Sequence, residues 1–152
     1  MNDFFYFTRA AITLRDVMTI AGEAGYRAFC FSSDTSSDDR LNIYYVGEQF
    51  WQWIPLHERE GDFDSFAPPN REIVAAYQPV SAFIIAHDVL SWPQLRSFLK
   101  RVLERHGGWI GNDTDGWEPV YTADTIGHLP YPHYRETLAW RERTGQRLTG
   151  RT

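Results

Sequence analysis

Two periods of apolar and polar alternation run along this chain, and the switches between them mark out its elements. Phe4 to Phe7 is an aromatic run of high strand propensity. Thr13-Leu14-Arg15-Asp16 then has the form of a capping box, and Leu14, Val17, Met18 and Ala21 fall at helical spacing on one face before Gly25 supplies a stop. A strand is predicted at Tyr26 to Phe31. The polar stretch from Ser32 to Asp39 has nothing to bury and reads as a loop, followed by strands over Leu41 to Val46 and Phe50 to Ile54.

The same order recurs further along. Val80 to Ala86 is a β-branched and aromatic run short enough for a buried strand, and Ser91-Trp92-Pro93-Gln94 is a second capping box. Leu95, Phe98, Leu99, Val102 and Leu103 make a continuous helical stripe that ends at Gly107-Gly108. Trp109 to Asn112 and Trp117 to Tyr121 are predicted strands flanking Asp113-Thr114-Asp115-Gly116, where Asp-Gly is a hairpin signal. The expected architecture is α+β: two β-α-β-β halves (about residues 1–56 and 79–122) forming one mixed sheet with both helices on one face, plus a C-terminal helical tail. Residues 1–130 are read as one domain and 131–152 as a helix, Tyr134 to Arg143, with a frayed basic end. The alternation puts Trp51 and Trp53 opposite Phe50 and Ile54, so both sheet faces carry large apolar groups. Either the C-terminal segment covers the second face, or that face stays partly open. Between the halves, His57 to Asn70 reads as a connecting loop, and Arg71 to Tyr77 fits a helix or a strand.

Composition narrows the class. A chain of 152 residues with 43% hydrophobic side chains suits one globular domain. Its net charge of −5 argues against duplex nucleic acid and anionic membranes as partners. One cysteine cannot form an internal disulfide, no apolar run approaches membrane-spanning length, and Met1-Asn2-Asp3 lacks the basic start of a signal peptide; a cytoplasmic location is expected. Charge is unevenly placed. Residues 1–130 carry 18 acids and 10 bases, a net of −8, whereas the last 22 residues are net +3.

The search for catalytic chemistry returns no motif. Cys30 lies within a predicted strand without an adjacent base and is expected in the core. His57-Glu58-Arg59-Glu60 lacks the second histidine of a zinc-protease helix, and His106 suits the negative end of the second helix dipole. Asp113, Asp115 and Gly116 resemble a calcium loop, but Gly111 and Thr122 occupy positions that would have to be ligands. No catalytic residue, metal or cofactor is therefore assigned, and the chain is expected not to be an enzyme. What stands out is that the acids cluster in connections: Asp34, Asp38 and Asp39; Glu58 and Glu60; Asp113, Asp115 and Glu118. With Tyr44, Trp51, Trp53 and Trp117, residue types common at binding hot spots, they form the expected partner-binding set.

From about Glu72 to Ile126 the chain resembles small bacterial immunity proteins, the antidotes of polymorphic and contact-dependent toxin systems. The resemblance is carried by Gln78-Pro79-Val80-Ser81-Ala82-Phe83, the leucine-rich helix ending His106-Gly107-Gly108-Trp109-Ile110, and Asp113 to Tyr121 with Trp117. It implies a non-enzymatic protein that binds and blocks one cognate toxin. An acidic, aromatic surface would be steered toward the basic cleft of a nuclease-like toxin. The alternatives are a small-molecule enzyme with its site between the halves and His87 or His106 as base, and single-strand RNA binding on an open aromatic sheet face.

Overall fold

The computed structural model describes residues 3–31, 39–45, 48–57, 61–87, 92–112, 116–117, 119–129, 139–140 and 142–145. Six strands, β1 (Phe4–Thr8), β2 (Arg27–Phe31), β3 (Arg40–Tyr45), β4 (Glu48–Leu56), β5 (Ser81–His87) and β6 (Trp109–Gly111), form one sheet in the order β2-β3-β4-β5-β1-β6. Helices α1 (Leu14–Glu23), α2 (Pro68–Ala76) and α3 (Trp92–His106) lie in the connections. The α+β class is as expected, but the sheet is not mixed. Every pair of neighbouring strands is antiparallel.

The reason is that the two halves interdigitate. β5 and β6 run in the same direction and are joined through α3, yet β1 from the first half sits between them and pairs with both. β1 and β2 are likewise joined through α1 but lie four positions apart, so neither crossover unit closes a parallel pair.

One face of the sheet carries the main core. Tyr6, Phe83, Ile85, Trp53, Leu41, Ile43 and Trp51 pack there under Val17 and Ile20 of α1 and the Leu95, Phe98, Leu99, Val102 and Leu103 stripe of α3. Both helices thus share one face, and Glu23 and Arg105 join them by a two-pronged ion pair, with the closest N–O distance 2.7 Å. The capping box of α1 is formed in both directions: Thr13 accepts from the Asp16 amide, and the Asp16 carboxylate accepts from the Thr13 amide at 2.7 Å. At the other end of α3, two carbonyls left over by the helix are met by β1. Tyr6 Oη donates to the Gly107 carbonyl at 2.6 Å and Thr8 Oγ1 to the His106 carbonyl at 2.9 Å. Gly107 and Gly108 both have positive φ, which brings the chain back against the strand that caps the helix.

Among the described residues, the second face is covered at one end. Phe5, Phe7 and Ala82, with Ile84 and Leu56 beside them, lie under Phe63 and Phe66 of the connection, Val74 of α2, and Trp117 with Val120. Among the described residues, the segment between the halves supplies most of this cover; most of the C-terminal segment lies outside them. Residues expected to be loop here include a 3-10 turn, Asp62–Ser65, and the first turn of α2, whose Pro68 and Pro69 occupy positions where a missing amide costs nothing. Arg71 to Ala76 is therefore helix. Trp117 to Tyr121 is not a regular strand. Trp117 takes a left-handed backbone (φ 61°), and among the described residues of this stretch only Tyr121 is bridged, to Ile110. The aromatic cluster sets that conformation: the Trp117 ring centroid lies 5.3–5.5 Å from those of Phe5, Phe7 and Phe66. The Asp113–Asp115 hairpin tip, Ser91 and most of the predicted C-terminal helix lie outside the described residues.

Candidate interaction face

The rest of the second face, over which no described residue packs as cover, is built by β2, β3 and Gln52 of β4. Alternation places Arg27, Phe29 and Phe31 of β2 on this side, and the register sets them against Tyr44, Asn42 and Arg40 of β3. β2 is the edge strand of the sheet, so among the described residues its side chains have a neighbouring strand on one side only. Phe29 is 44% exposed and Phe31 52%. Arg27 stretches across the Phe29 ring, 5.3 Å from its centroid, and Tyr44 meets the same ring edge-on at 5.6 Å. Beneath them the polar row is tied together: Gln52 Nε2 donates to Asn42 Oδ1 at 2.9 Å, and Asn42 Nδ2 approaches the Tyr44 hydroxyl at 3.4 Å. These bonds hold Tyr44, and through it Phe29, in a fixed orientation. The result is an ordered aromatic patch flanked by Arg27 and Arg40, neither of which forms an ion pair among the described residues.

On the helix side of the same edge, a cavity of about 430 Å³ opens where the start of α1 meets the ends of β2, β4 and the beginning of β5. Arg15, Cys30, Asp39, His57 and Ser81 contribute its polar lining. Cys30 is exposed, contrary to the expectation of a core thiol, because its strand is the sheet edge and the body of the core lies further in. Ser81 Oγ is engaged by the backbone of Ile12, accepting from its amide at 3.0 Å. No group of three or more His, Cys, Asp or Glu side chains among the described residues is placed to hold a metal ion. His87 and His106 are absent from the lining. His87 stacks on Phe4 with ring centroids 5.1 Å apart, while His106 ends α3.

The expected partner-binding residues separate into three groups. Trp51, Trp53 and Trp117 are 1%, 0% and 3% exposed, so they are core and not partner-facing surface. The first two lie on the helix-covered face against Phe98, with centroids 5.3 and 5.8 Å away, and the third is the cover of the opposite face. Tyr44 and Asp39 are half-buried, Tyr44 on the open face and Asp39 at the cavity. Asp34, Asp38, Glu58, Glu60, Asp113, Asp115 and Glu118 lie outside the described residues. Phe29, Phe31, Arg27 and Arg40 belong to this face without being marked by any sequence motif. The signal available was the Arg-x-Phe-x-Phe alternation of residues 27–31, but its meaning depended on β2 being an edge.

No family model, curated protein or solved structure matches the chain. Among the described residues, no helix is long and apolar enough to cross a membrane.

Proposed function

We propose that the chain is a non-enzymatic immunity protein that binds and inhibits a cognate toxin domain, with the open half of the second sheet face as its contact surface. The observation that carries this reading is the pair of exposed phenylalanines, Phe29 and Phe31, set beside an arginine on an ordered sheet whose core closes without them. Aromatic and arginine side chains are the residue types that carry most interface energy, and a rigid platform lowers the cost of ordering them on binding. The net charge of residues 1–130 adds long-range attraction toward a basic toxin cleft.

The test is co-expression with candidate toxin domains, sought first among genes adjacent to this one, in a bacterial host whose growth reports inhibition. The wild-type chain is expected to restore growth, and a Phe29→Ala/Phe31→Ala variant that folds normally is expected to lose that protection. Full protection by the folded double variant would remove this face from the interaction, and no protection by the wild-type chain would remove the inhibitory role itself.

A second reading is favoured by the cavity, which brings Arg15, Cys30, Asp39 and His57 together near the junction of the halves. A small molecule would then be the ligand, with His57 in place of the His87 or His106 expected from sequence. A compound that raises the melting temperature of the wild type but not of His57→Ala would establish it.

A further inference from the structure

Of the two edges of the sheet, β6 is extended by the Ile110–Tyr121 bridge, whereas β2 has no strand beyond it among the described residues. An edge strand presents a row of unpaired backbone donors and acceptors, and natural sheets cover, charge or shorten such edges. β2 is short, yet it displays two large exposed aromatic side chains and an exposed cysteine. Its sequence is also self-complementary in a way that singles out one occupant.

We infer that two copies of the chain pair through β2, antiparallel, about a two-fold axis that passes through Phe29. In that register Phe29 faces Phe29 of the second copy, Arg27 faces Phe31, and Ala28 faces Cys30. Each guanidinium, already over its own Phe29 ring, gains a second aromatic neighbour, and no two like charges stand directly opposite. On the helix side the pair Ala28 and Cys30 is small, so the strands can close without displacing bulky groups. A two-fold axis perpendicular to the sheet keeps corresponding faces on the same side. The open aromatic halves of the two copies therefore become one continuous surface, with four phenylalanines at its centre. Pairing uses the backbone edge and leaves the flat of that surface free, so the inference goes beyond the inhibitory role and does not depend on what the face binds.

Sedimentation equilibrium of the full chain, followed from micromolar concentration upward, is expected to show a reversible monomer–dimer equilibrium. Phe29→Lys sets two ammonium groups across the axis and is expected to weaken the dimer by roughly tenfold or more. Cross-linking fixes the register independently of that variant's folding. In a Cys30→Ser background, Phe29→Cys is expected to form a covalent dimer on mild oxidation. Arg27→Cys should do so only when mixed with chains carrying Phe31→Cys. A chain that stays monomeric, a dimer indifferent to Phe29→Lys in folded protein, or Arg27→Cys linking to itself as readily as Phe29→Cys would each overturn the proposal.

Discussion

Gly107 and Gly108 allow the energetics at the end of α3 to be separated by two substitutions that look alike in sequence. Both residues have positive φ, +68° and +100°, so alanine at either pays the left-handed strain of roughly 1–2 kcal/mol, offset in part by the smaller unfolded-state entropy of alanine. At Gly107 an added methyl group meets nothing within 4 Å. Gly107→Ala is therefore expected to cost about 1 kcal/mol. At Gly108 the same methyl would overlap the Phe7 carbonyl oxygen, stand 2.9 Å from Thr8 Cβ and 3.0 Å from Tyr6 Cε1. The obstructing atoms belong to β1, which is held on both sides by β5 and β6 and cannot yield without losing pairing. Overpacking of that kind adds about 1–3 kcal/mol, and displacement of Tyr6 from the Gly107 carbonyl adds about 1 more. Gly108→Ala is thus expected to cost about 3–5 kcal/mol, a large share of the stability of a typical domain. Urea denaturation followed by intrinsic fluorescence would read it as a midpoint lowered by on the order of 2 M at unchanged slope, against about 0.5 M for Gly107→Ala. Equal midpoints for the two variants would refute the close approach of β1 to the helix end.

Three further outcomes follow from the same packing. Trp53→Ala is expected to destabilise by about 3–5 kcal/mol, as for a large core side chain, whereas Phe31→Ala should shift stability by no more than about 0.5 kcal/mol; thermal denaturation of the pair checks the reassignment of these aromatics. Burial pushes the Tyr6 hydroxyl up to about 12, so folding is stabilised below the ordinary tyrosine range near pH 10 and that contribution is lost as pH rises through 12. Tyr6→Phe should therefore cost about 1 kcal/mol at neutral pH, with the gap to wild type narrowing between pH 10 and 12 in urea titrations; parallel curves would contradict the buried hydroxyl. The Thr13 backbone amide bonded to the Asp16 carboxylate holds its pKa below the ordinary value, so its contribution is present above the usual carboxylate range and lost as pH falls through the lowered pKa. Asp16→Ala is expected to cost about 1 kcal/mol at pH 7 and progressively less in acid, measured by the same titration.

What sequence could and could not reveal follows from how local each determinant is. Thr13 with Asp16, and the Leu95 to Leu103 stripe with its glycines, act over three to eight residues, and the helices they specify are where the pattern puts them. Period-two alternation also separated Trp51 and Trp53 from Ile54 correctly. Alternation carries no information on which side the helices cover, and α1 and α3 bury the tryptophan side that sequence alone leaves free to be surface. The position of β2 at the edge, and hence the exposure of Phe29, Phe31 and Cys30, depends on β1 leaving its sequence neighbour to insert between β5 and β6. That pairing spans more than seventy residues, and no window of the sequence records it.

That insertion also sets an order of events during synthesis. β1 emerges well before both strands that flank it, which belong to residues 81–111. Until β5 and β6 have been made, β1 lacks both of its pairing strands, and the first half cannot settle as an independent unit despite its repeat-like appearance. Closure of the long loop between β1 and its flanking strands makes folding a late and largely all-or-none step, with β1 the segment most dependent on protection while it waits.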